Sequence, residues 1–244
     1  MSLSKNRVLI LGFAAIFIIL IGAVWFTAIY FINSQTSTVL MVIESEEDSY
    51  ILVKDFLLER GYRVEIIYST QELLQRPLAG YALIWDSLLL NGHLTADVLE
   101  TYIEGGGKLI LTGETPFFIA NTTTSDMSLH TIEHWFGAGK YNNETGGIAY
   151  VTEAQPFGTS LLNGDEVFFD STNSSTSILL LSSDAQVISR WENGNVFAFY
   201  HSYGTGRVYY QAHLSLAPDN LDAYPTIQQN CEALLKGALL WSLS

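Results

Sequence analysis

The longest uninterrupted apolar stretch of the chain, Val8–Ile32, contains no charged residue and no proline. At about 1.5 Å of rise per residue, a helix of this length crosses a hydrocarbon core of roughly 30 Å. Lys5 and Arg7 precede the stretch, and the next base along the chain is Lys54. The basic-flank rule therefore predicts a cytoplasmic N-terminus (1–7), a single transmembrane helix (8–32) and an extracytoplasmic remainder in the cell membrane.

A cleaved signal peptide is the alternative reading of the same stretch. The apolar region of a signal peptide is usually about 7–15 residues long and ends at a small-residue cleavage site. Here the stretch is longer and ends in the bulky residues Tyr30, Phe31 and Ile32. The pattern therefore favours an uncleaved anchor, followed by a polar linker (33–37).

Beyond the linker, apolar runs alternate with segments whose apolar residues have helical spacing. Four runs are predicted to be strands buried on both faces: Thr38–Ile43, Arg63–Tyr68, Tyr81–Trp85 and Lys108–Thr112. One helix is expected to begin near Asp48 and a second near Thr95, with glycines at their ends. Strand–helix alternation predicts a doubly wound α/β domain (38–244) with a mainly parallel sheet and helices on both faces.

The second half of the chain has a different pattern, with short apolar runs separated by turn residues. Six runs are strand candidates: Ile148–Thr152, Val167–Asp170, Ile178–Leu181, Val187–Trp191, Val196–Tyr200 and Arg207–Gln211. Asn193-Gly194 is a strong hairpin signal, so antiparallel strands are expected to extend the sheet. Pro225 opens a final amphipathic helix with Cys231 on its apolar face, which makes this cysteine a core residue.

Charge and cysteine content narrow the function classes. All 25 acidic residues but only nine of the eleven bases follow residue 37, and the whole chain has a net charge of −14. Such an acidic surface repels phosphates, so no nucleic-acid partner is expected. Cys231 is the only cysteine, which excludes an intramolecular disulfide.

Three glycine-and-strand stretches are informative together. They are YIEGGGKLILTG (102–113), YHSYGTGRVYYQAH (200–213) and ALLKGALLWSL (233–243). In this order they resemble the class I glutamine amidotransferase-like fold, and within it the trehalose-utilisation-type and uncharacterised branches. The resemblance implies a flavodoxin-like sheet over residues 38–244 with a functional turn after the fourth strand.

At that turn the chain departs from the family pattern. Active members carry a cysteine in G-x-C-x-G, whereas residues 113–117 here read GETPF, which places Thr115 at the nucleophile position. A threonine hydroxyl is a poor nucleophile without a dedicated base, so no amidotransferase activity is expected. Because open α/β sheets bind ligands at the carboxyl ends of strands, Glu44, Glu114 and Thr115 are expected to line a pocket. His213 lies where the resembling branch often has a histidine and is a further candidate contact.

A second motif concerns metals. Residues 130–134 read HTIEH and match H-x-x-E-H, an inverted zinc-protease motif. On one helix His130 and His134 would share a face, and Glu133 could act as a base. The motif has only three fixed positions, and no segment after it offers a third ligand, so the alternative is a solvated helix face. Gly105–Gly107 follows a helix rather than a strand, which is the wrong context for a phosphate loop, and no cofactor is expected.

These patterns together predict a membrane-anchored, extracytoplasmic, non-catalytic amidotransferase-like domain. Its expected partners are the membrane through residues 8–32 and either a cell-envelope protein or a carbohydrate-like ligand. The alternative is a hydrolase that depends on a metal or on carboxylates near Glu114.

Overall fold

The computed structural model of the protein describes residues 21, 38–43, 48–87, 92–120, 127–143, 147–170, 176–213 and 223–244. The predicted transmembrane helix (8–32), apart from Ile21, and the linker (33–37) lie outside these ranges. Within the described ranges, no helix has both the length and the apolar character needed to cross a bilayer.

Eleven strands of the described residues belong to one sheet. They are β1 (Thr38–Val42), β2 (Arg63–Ile67), β3 (Leu83–Asp86), β4 (Lys108–Thr112), β5 (Ala138–Asn143), β6 (Gly147–Val151), β7 (Glu166–Asp170), β8 (Thr176–Leu181), β9 (Gln186–Trp191), β10 (Val196–Tyr203) and β11 (Gly206–Gln211). The helices are α1 (Asp48–Glu59), α2 (Thr70–Leu74), α3 (Gly92–Glu104), α4 (Thr115–Ile119), α5 (Glu133–Phe136) and α6 (Pro225–Leu243). Two 3₁₀ turns complete these elements, η1 (Leu78–Gly80) and η2 (Pro156–Gly158).

The first half of the sheet is parallel, in the order β2-β1-β3-β4-β11. The four predicted strands therefore share one sheet, which confirms a mixed α/β fold with a parallel centre. The apolar runs of β1, β3 and β4 are buried because both faces are covered. Alternate residues of β11 show this, since Tyr209 contacts Phe157 on one face and Tyr210 contacts Phe136 on the other. β2 is the edge strand and only its Ile67 is buried, so the prediction of a strand buried on both faces is wrong there.

The second half adds antiparallel strands, as the short apolar runs predict. β10 pairs with β11 and β9, β9 with β6, and β6 with β7. β8 touches β10 through a single residue pair and carries β5 along its other side. β5 was not predicted, because its sequence AGKYNN has no apolar run.

Helix boundaries differ from expectation in two places. α3 begins at Gly92, three residues before Thr95. α5 begins at Glu133, so His130 lies outside the helix that carries His134, and the condition for a shared helix face is not met. α6 begins at Pro225 as expected, and Cys231 on it is fully buried.

The amino ends of the parallel strands are closed by glycines in tight contact with α3. A Cβ atom on Gly206 would overlap the carbonyl oxygen of Ile103, and one on Gly107 would overlap that of Tyr102. Since Gly107 directly precedes β4 and Gly206 begins β11, the last turn of α3 can sit directly on the strand ends. We call this end of the parallel sheet the amino edge and the opposite end the carboxyl edge.

Candidate functional site

The carboxyl edge contains the topological switch point of the sheet. The chain runs from β1 outward to β2 and then crosses over to β3, so the connections after β1 and β3 diverge. Asp86 ends β3 and is only 3% exposed. The next residue, Ser87, donates its backbone N–H to Val42 O at 3.0 Å, and its hydroxyl lies 3.0 Å from that of Tyr50. Ligands of open α/β sheets bind at such a point.

The turn after β4 carries Thr115, the residue that the sequence resemblance aligns with the nucleophile of the resembling family. Gly113 has a φ of 59° and so supplies the left-handed residue of the turn. Thr115 begins α4 and is fully buried. Its hydroxyl donates to Thr112 O at 2.7 Å. The hydroxyl therefore satisfies a backbone carbonyl beneath the turn and is not presented to a substrate.

Glu114 and His213 lie at neighbouring strand ends. β4 and β11 are parallel partners, with Thr112 opposite Gln211, and Gly113 N donates to Gln211 O at 3.2 Å. Glu114 and His213 therefore each follow one of these paired strand ends by two residues. Glu114 is half-buried, and its carboxylate has no partner among the described residues. The structure thus places two of the predicted site residues after adjacent strand ends, although no hydrogen bond or ion pair joins their side chains among the described residues.

His213 is held as a neutral ring. It stacks on Phe168 with ring centres 4.6 Å apart and an interplanar angle of 13°. Burial lowers the pKa of His213 from 6.5 to about 4, although the Asp170 carboxylate partly opposes this shift. The ring is partly exposed, yet its Nε2 atom is buried and has no hydrogen-bond partner among the described residues.

Gln211 fixes the strand end that carries His213. Its Oε1 accepts from the Tyr209 hydroxyl at 2.6 Å, and its Nε2 donates to His213 O at 2.6 Å. The same nitrogen lies 3.4 Å from the Sγ of Cys231. Burial raises the pKa of the Cys231 thiol to about 12, so this cysteine is a protonated core residue, as the sequence indicates.

The histidines of the H-x-x-E-H motif do not converge. His130 Nδ1 pairs with Glu133 at 2.8 Å, whereas His134 Nε2 pairs with Glu100 of α3 at 2.6 Å. In the ranges that the structure covers, no group of three or more His, Cys, Asp or Glu side chains could hold a metal ion. The arrangement is that of two separate surface pairs.

Glu44 lies outside the described residues, so its expected place in the pocket stays a prediction. Asp86 and Gln211 were missed by sequence reasoning. Asp86 was discoverable, because an acid directly after the apolar run Leu83–Trp85 must end a buried strand. Gln211 had no such signal, since only the fold brings it to Tyr209 and Cys231.

A separate cavity of about 540 Å³ lies near the amino edge, between η1 and α3. Two tyrosines, Tyr81 and Tyr102, line it, together with Arg76 and the Gly105–Gly107 turn. The tyrosine hydroxyls are occupied, since Tyr81 donates to Glu65 at 2.7 Å and Tyr102 lies 3.2 Å from Tyr81 O. None of the predicted site residues lines this cavity.

Comparison with known proteins supports the fold and not a family. No family model and no curated protein matches the chain. A ThuA-like protein from Bacteroides uniformis is similar at 15% identity and a TM-score of 0.54, over 84% of this chain and 90% of its own. A cytoplasmic protein from Salmonella typhimurium is similar at 14% identity and a TM-score of 0.54, over 84% and 98%.

A β-galactosidase from Rahnella sp. R3 is also similar, at 14% identity and a TM-score of 0.53 over 85% of this chain. This chain spans only 31% of that enzyme's length. The resemblance to the amidotransferase-like, trehalose-utilisation-type proteins therefore holds at the level of the fold.

Proposed function

We propose that the protein is a membrane-anchored, extracytoplasmic binding domain without catalytic activity, which takes a carbohydrate-like ligand or an envelope protein at its carboxyl edge. The observation that carries the proposal is the orientation of Thr115. Its buried hydroxyl is donated to Thr112 O, so the one residue at the nucleophile position has no free group for attack.

The remaining groups at the carboxyl edge suit recognition of neutral polar molecules. Glu114 offers a carboxylate and His213 offers a neutral ring with a buried Nε2, and neither the carboxylate nor the Nε2 has a partner among the described residues. Sugar hydroxyls donate well to carboxylates, and such charge-assisted bonds are the stronger kind. A carbohydrate is also favoured because one similar structure is named as a β-galactosidase and another as a ThuA-like protein.

Titration calorimetry on the full-length chain in lipid nanodiscs tests the binding site. The probes are trehalose, lactose and galactose. Glu114→Gln is expected to weaken binding about tenfold, because a hydrogen bond to a charged group contributes roughly 1.5–3 kcal/mol. Thr115→Val keeps the side-chain shape and is the matched control, with an affinity within about twofold of the wild type.

Two results would contradict the binding proposal. One is that no saccharide binds in calorimetry and that a crosslinker attached to the cysteine of Glu114→Cys captures no envelope protein. The other is turnover of a saccharide that disappears in Thr115→Val, since the turn would then be catalytic.

The anchor is tested separately by protease treatment of intact cells. We expect residues 38–244 to be digested while the apolar segment 8–32 is spared, because two bases precede that segment and none follows it before Lys54. Protection that ends only on lysis would reverse the proposed topology.

A further inference from the structure

Four of the nine bases that follow residue 37 lie on one face of the sheet toward the amino edge. They are Arg60 after α1, Lys108 at the start of β4, Arg207 at the start of β11 and Lys236 in α6. Lys108 and Arg207 are register partners on adjacent strands, so their side chains share a face. Arg207 donates to Trp241 O of α6, which identifies this face as the one that α6 covers.

The other two bases meet at one aromatic ring. The guanidinium carbon of Arg60 lies 3.7 Å from the centre of the Phe56 ring, and Lys236 Nζ lies 5.8 Å from it. This shared ring shows that α1 and α6 cover the same face. We call Arg60, Lys108, Arg207 and Lys236 the basic surface.

Most of the charge on the basic surface is not neutralised. Lys236 pairs with Glu232 at 3.3 Å, but Arg60, Lys108 and Arg207 form no ion pair with the described residues. Burial and the neighbouring Arg207 lower the pKa of Lys108, as expected where cations lie close together without a carboxylate. Asp55 and Glu59 are the acids in the second half of α1, so with Glu232 three acids stand against the four bases of the basic surface, in a chain of net charge −14.

Exposed leucines accompany these bases. Leu58 is 47% exposed and Leu240 is 43% exposed. They occupy the last turns of α1 and α6, and both helices run from the carboxyl edge toward the amino edge. Cations beside exposed leucines are typical of surfaces that contact an anionic lipid interface.

The chain also enters the sheet at this edge. β1 begins at Thr38, which follows the apolar segment 8–32 by only six residues. The five linker residues reach at most about 18 Å when fully extended. We propose that the amino edge rests on anionic lipid headgroups, with the basic surface as the contact, so that the carboxyl edge faces away from the bilayer.

This inference rests on the proposed anchor and sharpens the proposed function. β1 has five residues, so the carboxyl edge lies roughly 17 Å beyond the point of entry. A ligand of Glu114 and His213 must therefore approach from the aqueous side. Bilayer lipids are excluded as its source.

Two matched labels test the orientation. Thr205→Cys lies in the β10–β11 turn at the amino edge, and Asn193→Cys lies in the β9–β10 turn at the other end of β10. Buried Cys231 stays unlabelled. The full-length chain is reconstituted in vesicles of phosphatidylglycerol and phosphatidylcholine that contain a headgroup-attached quencher. We expect strong quenching of the fluorophore at Thr205 and little at Asn193.

Charge variants test the lipid contact. Lys108→Gln with Arg207→Gln should lower quenching at Thr205 to the level seen in pure phosphatidylcholine, because each base favours an anionic surface by roughly fivefold. The control variant, Lys140→Gln with Arg190→Gln, removes two positive charges outside the basic surface. It should leave quenching at Thr205 unchanged. Circular dichroism and the thermal midpoint verify that each variant is folded.

Each other outcome overturns a defined statement. If the chain does not float with the vesicles, the anchor is wrong and this inference falls with it. If the chain floats but both labels are quenched equally, or the label at Asn193 more, the orientation alone is wrong. The basic surface is not a lipid contact if the two double variants change the quenching at Thr205 equally. The same conclusion follows if inorganic phosphate, compared at matched ionic strength, abolishes that quenching.

Discussion

The two ends of the parallel sheet are held together by different kinds of contact. At the amino edge, backbone meets backbone, because Gly107 and Gly206 leave no room for a side chain against α3. At the carboxyl edge, polar side chains form the contacts. Gln211 accepts a hydrogen bond from the Tyr209 hydroxyl and donates one to the backbone carbonyl of His213. The first edge depends on shape and the second on hydrogen bonds.

This difference separates stability from binding capacity. The glycine contacts with α3 involve no side chain, whereas the carboxyl edge keeps a carboxylate at Glu114 and a buried Nε2 on His213, neither of which has a partner among the described residues. An unsatisfied buried polar atom is costly in a folded protein, so the Nε2 atom of His213 near the strand ends favours the carboxyl edge as the place where a small polar ligand binds.

The largest expected effect is at the amino edge. Gly206→Ala should lower the free energy of unfolding by about 3 kcal/mol, because its Cβ overlaps a backbone oxygen that cannot rotate away. Gly204→Ala in the same turn is the control, since its Cβ meets nothing within 4 Å although its φ is 59°. It should cost about 1 kcal/mol. Urea denaturation measures both, and equal losses would contradict the close-contact explanation.

A titration tests the carboxyl edge next. The pKa of His213 is about 4 in the folded state against 6.5 unfolded, so the unfolded chain binds the extra proton first as pH falls. The free energy of unfolding is therefore unaffected by this group above pH 6.5 and falls as the pH drops from 6.5 toward 4. The expected decrease is roughly 2 kcal/mol once the partial exposure of the ring is allowed for. Urea denaturation at pH 7 and pH 4 measures the decrease in the free energy of unfolding between the two. This decrease should be smaller in His213→Gln than in the wild type by the same amount. Identical pH dependence in both proteins would contradict the assignment.

The hydrogen bonds of Gln211 should have an intermediate effect. Gln211→Leu leaves the fully buried Tyr209 hydroxyl unpaired, at a cost of about 1.5 kcal/mol. Adding Tyr209→Phe removes the orphaned hydroxyl and should recover part of the loss. A double-mutant cycle from urea denaturation gives the coupling, and strict additivity would mean that the two side chains do not depend on each other.

The smallest effect is expected at Glu114. Its carboxylate has no partner among the described residues, so Glu114→Gln should change the free energy of unfolding by less than about 0.5 kcal/mol. A larger loss in urea denaturation would show that Glu114 supports the fold, and its role in binding could then not be separated from stability.

The parallel centre was predictable because strands that are buried on both faces have continuous apolar sequences. TVLMV of β1 and KLILT of β4 are examples, and both are buried almost throughout. β5 was not predictable, since AGKYNN acquires its strand conformation only by pairing with β8. Short helices such as α4 and α5 also depend on tertiary packing, because segments of four or five residues are not stable alone.

Site residues were predictable where the chain order places them after a strand. Glu114 and His213 follow β4 and β11, which are paired in parallel, so both residues lie at the carboxyl edge. The direction of the Thr115 hydroxyl was not predictable, because it depends on the backbone of the turn rather than on residue type. The pairing of His134 with Glu100 likewise joins residues that are 34 positions apart.

The position of β1 has a mechanical consequence. β1 lies between β2 and β3 and is hydrogen-bonded to both along its length. A pulling force applied to the segment before Thr38 acts parallel to these strands, so it loads both ladders in shear. Shear divides the load among all the hydrogen bonds of β1, whereas peeling from an end would break them one after another. A tether entering the domain at this strand is therefore attached where the sheet best resists rupture.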